Sequence, residues 1–282
     1  MRKHFLFAAA MMLLAACSSD KVEEPQNPDD LVEVKLNLKG FSLETEAMTR
    51  AATSVGDYVT KLDIWLYESG NEFASFQQES SDSDFGSLSL TLNLTKEYTI
   101  YAVAHRNSVG HATLSNAVIS FPEDKITHTF FVNQTFTPTR GMSLQLTMQR
   151  IVAQFSFNTT DAVPDWCKTM RFTISNVFDR WNVSTGGTHQ LNRVSTININ
   201  STRDDGSVTC NVYAIVTSEN TNHDILVEAL DANGKVQESH QFTAIPLMNN
   251  RRTIATGAFF TDAASGFSFL AQDWGEETTV NF

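Results

Sequence analysis

Basic residues are scarce in this chain. Its 282 residues carry 20 Lys and Arg against 32 Asp and Glu, a formal charge of −12. An acidic surface repels phosphate backbones, which argues against nucleic acid as a partner. The adjacent bases Arg251-Arg252 are a pair, not a patch. Long apolar runs are also lacking, and after residue 16 none is long enough for a membrane helix. Cysteine is rarer still: Cys17, Cys167 and Cys210. There is no H-E-x-x-H, no G-x-S-x-G elbow and no phosphate-cradling glycine loop. No two of the histidines beyond His4 (His105, His111, His128, His189, His223 and His240) sit at metal-ligand spacing. His105 and His111 follow an apolar run and read as surface loop residues. The stretch Ser81 to Gly86 imitates a calcium loop but lacks the third acidic ligand and the closing glutamate, so it reads as a solvated hairpin end. No carboxylate pair is recognisable as glycosidic. The chain is therefore expected to carry no catalysis, no metal and no cofactor.

Helical periodicity is scarce as well; the dominant period is two. Val32, Val34, Leu36 and Leu38 alternate with Glu33, Lys35 and Asn37. Leu62, Ile64 and Leu66 alternate with Asp63, Trp65 and Tyr67, and Leu88, Leu90, Leu92 and Leu94 with Ser89, Thr91 and Asn93. Successive side chains of a strand point to opposite faces, so these are half-buried strands. Tyr98 to Ala104 is more continuously apolar and reads as a central strand. Thr127 to Val132 and Leu144 to Met148 continue the pattern. A second series follows: Ile151 to Phe157, Met170 to Ile174, Cys210 to Val216, Ile225 to Leu230, Val236 to Phe242 and Thr253 to Phe260. Asn233-Gly234 between two of these runs is a hairpin turn, because Asn-Gly tolerates positive φ. Many short strands with polar turns predict an all-β chain of β-sandwiches. The 41% hydrophobic content and 20 Phe suffice for substantial cores. A boundary near residues 148 to 150 divides it into an N-terminal β-sandwich domain, 31–149, and a C-terminal one, 150–282. No sequence repeat relates them, so any duplication is architectural. Trp65, Tyr67, Tyr101 and Trp181 offer either sugar-stacking surfaces or the second packed face of a sandwich.

The first seventeen residues form a separate signal. Arg2 and Lys3 precede an uncharged apolar run, Phe5 to Ala16, which ends in Leu14-Ala15-Ala16-Cys17 and then Ser18-Ser19-Asp20. Such a run is too short to span a bilayer and reads as a secretory signal. A cysteine at the cut position resembles a bacterial lipoprotein signal, which implies lipidation of Cys17 as the mature N-terminus. Loss of Arg2 and Lys3 with the signal takes the formal charge from −12 to −14. Several acyl chains on one residue hold a protein firmly to a membrane. Residues 18–30 are polar, acidic and proline-bearing, a solvated tether. The compartment permits a disulfide between Cys167 and Cys210; their core-like flanks favour two buried free thiols instead.

Several segments, taken in order, resemble the fimbrillin and minor-fimbrillin families of Bacteroidetes. They are the Cys17 signal, Met48-Thr49-Arg50-Ala51-Ala52, LDIWLYESGNEF from Leu62 to Phe73, LTKEYTIYAVAHR from Leu94 to Arg106, RIVAQFSF from Arg150 to Phe157, and Asn249 to Thr253 leading into Ile254 to Phe260. The resemblance implies two transthyretin-like Greek-key β-sandwich domains in tandem. It implies a fimbrial structural subunit of a surface adhesin assembly, anchored in the outer membrane through lipid on Cys17. Its partners would be other fimbrial subunits in a head-to-tail polymer, or an anchor or tip subunit, with a host protein or glycan as ligand.

The resemblance also gives Arg50 a role. An arginine-specific protease would cut between Arg50 and Ala51, freeing the strand that carries Val32, Val34, Leu36 and Leu38. Another subunit's strand would fill the slot by donor-strand exchange, with Val280 and Phe282 of the tail alternating as a donor strand does. If Arg50 is not cut, the chain is instead an uncleaved anchor or tip subunit, or a free-standing surface glycan-binding lipoprotein.

Overall fold

A computed structural model describes residues 30–41, 59–107, 109–216, 222–261 and 266–273. Among them the regular structure is β throughout, apart from a 3-10 turn at Pro122–Asp124. The first nine strands are β1 (Leu31–Phe41), β2 (Lys61–Glu68), β3 (Asn71–Glu79), β4 (Ser87–Asn93), β5 (Tyr98–His105), β6 (Thr113–Ser115), β7 (Val118–Ser120), β8 (Thr129–Phe136) and β9 (Ser143–Arg150). The remainder are β10 (Ala153–Thr159), β11 (Thr169–Asn182), β12 (Gly186–Asn198), β13 (Thr209–Ala214), β14 (Asn222–Leu230), β15 (Val236–Pro246), β16 (Arg251–Gly257) and β17 (Ser268–Asp273).

The first half makes a sheet of order β3-β2-β5-β8-β9-β1-β4. Its two segments, β3-β2-β5-β8 and β9-β1-β4, meet through the short β8–β9 ladder of Phe130↔Arg150 and Phe131↔Gln149, and they pack on each other around one core. Leu62, Ile64 and Leu66 of β2 and Tyr98, Ile100 and Ala102 of β5 meet Val34 and Leu36 of β1 and Leu144, Leu146 and Met148 of β9. The strict alternation of β9, with every second residue buried, is the period-two pattern expressed as packing. In the second half β13-β10-β16-β17 packs on β12-β11-β14-β15, with Phe155, Phe157, Phe172, Val227 and Phe259 at the centre.

The two halves repeat one strand order without repeating sequence. β1 lies between β4, antiparallel, and β9, parallel. β10 likewise lies between β13, antiparallel, and β16, parallel. The opposite layers, β3-β2-β5-β8 and β12-β11-β14-β15, correspond strand for strand. The second half adds β17, which lies antiparallel beside β16. Phe267, Phe269 and Leu270, apolar residues of the C-terminal region, thus lead into and join the chain's own sheet.

One excursion links the halves. The chain between β5 and β8 leaves the first sandwich, and β7 adds to β11 through Arg180↔Ser120, Trp181↔Ile119 and Asn182↔Val118. A third apolar cluster forms there from Trp65, Val103, Ile119, Phe121, Val152 and Ile215. Tyr67, Tyr101, Phe131 and Trp181 pack against it, with Tyr67–Tyr101 and Phe131–Trp181 ring centroids 5.5 and 5.7 Å apart. Trp65 is buried and Tyr67, Tyr101 and Trp181 are half-buried, so the four pack as a second face of the sheet.

Candidate functional site

β1 is the first described strand of the chain, yet it is central in its layer. Its ladder to β4 runs from Leu31↔Asn93 to Asn37↔Ser87. Its ladder to β9 runs from Lys35↔Ser143 to Phe41↔Met148, with a register shift between Asn37 and Gly40. Val32, Val34 and Leu36 are 7%, 0% and 1% exposed, so these inward positions fill a formed slot. Leu38 lies further along β1, its side chain outside the described residues. Floor and walls of the slot are Leu90 and Leu92 of β4 and Leu144, Leu146 and Met148 of β9. Among the described side chains of β1, Asn37 Nδ2 donates to Ser143 Oγ at 3.2 Å, and Ser87 Oγ donates to Asn37 Oδ1 at 3.5 Å. Among the described residues neither Glu33 nor Lys35 makes an ion pair. The slot recognises β1 by extended backbone and alternating apolar side chains, features that any strand of the same alternation carries.

A family model, described as "Family of unknown function (DUF6562)", matches residues 26–279. The chain belongs to that family. Among curated proteins no match to this sequence is found. Solved structures share its fold at low identity. A "putative adhesin" from Bacteroides ovatus is 11% identical with a TM-score of 0.52, covering 91% of this chain and 97% of its own. The "putative polysaccharide binding proteins (DUF1812)" structure from Bacteroides thetaiotaomicron is 10% identical with a TM-score of 0.51, covering 80% and 92%. The fimbrial anchor protein Mfa2 from Porphyromonas gingivalis is 10% identical with a TM-score of 0.49, covering 86% and 98%.

The lipidation residue Cys17, the cleavage pair Arg50 and Ala51, and the tail residues Val280 and Phe282 lie outside the described residues. His105 and His111 depart from the surface-loop expectation. His105 is 1% exposed, and both imidazoles meet the buried carboxylate of Asp63. His105 Nε2 lies 3.1 Å from Asp63 Oδ2 and His111 Nδ1 lies 2.8 Å from Oδ1. The Ala112 N–H donates at 2.9 Å and Gln77 Nε2 at 3.2 Å. Asp63 thereby fastens the start of the β5–β6 excursion onto β2 and β3. The signal was hidden because Asp63 precedes its imidazole partners by 42 and 48 residues. The Ser81 to Gly86 turn is as expected: Asp82 Oδ2 accepts the Glu79 N–H at 2.7 Å, closing a solvated hairpin end.

Cys167 and Cys210 are buried free thiols. Burial, and then the neighbouring Cys167, push the Cys210 thiol up to about 12, so it is an inert core group.

His128 is a pH-sensitive element. Its Nε2 lies 2.8 Å from Tyr213 Oη. Burial, and then the charges of Arg150 and Arg106, lower its pKa to about 4 from an ordinary 6.5. Between those values the unfolded chain binds the extra proton. Stability is thus fully present above pH 6.5 and declines as pH falls toward 4, by roughly 3 kcal/mol at most. Urea midpoints measured from pH 7 to 4 should fall, and His128→Asn should flatten that slope. An equal slope in both proteins would assign the acid sensitivity elsewhere.

Proposed function

We propose that the chain is a fimbrial structural subunit of a surface adhesin assembly, held at first to the outer membrane by lipid on Cys17 and, once cut after Arg50 and released from that anchor, polymerised by donor-strand exchange. The carrying observation is β1, a strand near the chain's N-terminal end set in the middle of a sheet. Cleavage after Arg50 frees the segment that contains it. Its departure leaves β4 and β9 with unpaired backbone and uncovers the slot. A strand from a neighbouring subunit, with the tail residues Val280 and Phe282 as its inward pair, then completes the sheet. Such a joint is head-to-tail and extends into a filament instead of closing. The domains in this reading are 31–149 and 150–282, and the role is structural, without catalysis.

A second reading keeps β1 in place, as it is in the intact chain. The protein is then an anchor or tip subunit, or a free-standing glycan-binding lipoprotein. The shared fold with proteins described as adhesins or polysaccharide binders supports either role and does not separate them. Digestion of the purified chain with an arginine-specific protease separates them. The polymer reading expects cleavage after Arg50 and a ladder on unheated denaturing gels that collapses on boiling. A cleaved chain that retains β1 and runs as one monomer band removes the polymer and leaves the anchor or tip.

A further inference from the structure

The end of the chain repeats the pattern of β1. Glu33 to Leu38 reads Glu-Val-Lys-Leu-Asn-Leu, and Glu277 to Phe282 reads Glu-Thr-Thr-Val-Asn-Phe. Glutamate and asparagine coincide, and the asparagine keeps an apolar residue on each side. No other segment of the chain has a glutamate four residues before an asparagine that stands between two apolar residues. Residues 277–282 lie outside the described residues; β1 shows what such a pattern meets in the slot.

In β1 the two faces of the pattern do different things. Val34 and Leu36 point inward, at 0% and 1% exposure. Asn37 is half-buried and stands opposite Ser87 of β4 and Gln145 of β9. Its amide joins both walls: Nδ2 donates to Ser143 Oγ at 3.2 Å, and Oδ1 accepts from Ser87 Oγ at 3.5 Å. A slip of one residue turns an alternating strand inside out, but a slip of two keeps its faces. The apolar side chains therefore choose the face and leave the position along the slot open. One amide that must reach both serines fixes that position, as a single polar residue fixes register in an apolar coiled-coil seam.

We propose that Glu277 to Phe282 enters the slot in the register of Glu33 to Leu38, parallel to β9, with Asn281 in the place of Asn37 between Ser87 and Ser143. Val280 then replaces Leu36, Thr278 replaces Val34, and Phe282 follows the asparagine as Leu38 does. Thr278 matches valine in shape but carries a hydroxyl into a position that valine keeps dry. Val280 is smaller than leucine and fills the Leu36 position less fully. The tail is thus a weaker occupant than β1, which is why β1 must be cut before the tail can hold the slot. The inference rests on the strand-exchange reading and adds to it the donor's register and its polar key.

A graft in the full chain tests the register without any exchange. Val34→Thr, Lys35→Thr, Leu36→Val and Leu38→Phe together rewrite Glu33 to Leu38 as the tail. This chain should unfold cooperatively at a lower urea midpoint than the natural one, and keeping Val34 should recover part of the loss. Asn37→Ala should lower the graft's midpoint further, with no added effect where Ser87→Ala and Ser143→Ala are already present. The tail sequence displaced by one position toward Lys39, which puts its glutamate in the place of Val34, should not fold. A graft that fails to fold, or an Asn37→Ala effect that ignores the two serines, overturns the register. The second test adds a peptide of residues 273–282 to the chain digested after Arg50 and follows release of the β1 segment by native mass spectrometry. Asn281→Ala in the peptide should weaken displacement by roughly threefold to tenfold, the worth of one neutral hydrogen bond. Thr278→Val should strengthen it by a similar factor, and the outward Thr279→Val should change it little. Equal displacement by every peptide, or none by any, overturns the proposal even if the subunits polymerise. If Arg50 is not cut, the exchange reading falls and the graft alone decides the register.

Discussion

A chain that begins at Ala51 should not be stable as an isolated monomer. Without β1, the strands β4 and β9 each lose a ladder, and Leu92, Leu146 and Met148, at 1–2% exposure in the intact chain, face water. Full burial of Val32, Val34 and Leu36 is worth roughly 5–9 kcal/mol, an upper estimate because unfolded chains already bury some apolar surface. That is comparable with the whole stability of a typical domain. The truncated chain should therefore aggregate, associate, or unfold at far lower urea than the intact one. A synthetic peptide of residues 31–41 added in trans should restore the midpoint. A peptide with Val34→Asp and Leu36→Asp should not, because both residues enter the slot. An unchanged midpoint in the truncated chain would show that β1 is dispensable.

Asp63→Ala should be the most damaging single substitution near the junction of the two halves. The carboxylate is fully buried and has four donors around it, from His105, His111, Ala112 and Gln77. Its removal strands buried donors, each costing about 1–3 kcal/mol when left unsatisfied, for a total of about 3–5 kcal/mol once partial relaxation and water entry are allowed. Asp63→Asn keeps the volume but turns an NH2 toward other donors, and should recover only part of the loss. The second readout is local. Hydrogen exchange of the amides of residues 109–120 should rise more than that of β13 to β16. Uniform acceleration across the chain would mean that Asp63 supports the whole fold and not the excursion.

The strands that were plain in the sequence are those with one wet and one dry face. β1, β4 and β9 alternate, and the alternation is their packing. Two edge strands, β3 and β12, were illegible for the same physical reason. β3 buries only Gln78, and β12 buries only Arg193, so neither carries a dry face to produce a period. The β6–β7 hairpin has three-residue strands that gain their pairing from β11, some sixty residues later, which no local pattern reports. The slot was readable as four alternating apolar residues; that β1 is central, and parallel to β9, required the fold. The Asp63 cluster was unreadable because its members are adjacent only across strands.

The account turns on whether β1 leaves. N-terminal sequencing and intact mass of the protein from cell-surface preparations, with denaturing gels of unheated and boiled samples, decide it most directly. A mature N-terminus at Ala51, together with a ladder that collapses on boiling, is the result expected of a strand-exchanged subunit. A lipid-modified N-terminus at Cys17 with a single monomer band would contradict polymerisation and leave the chain as an anchor, a tip or a free-standing binding protein.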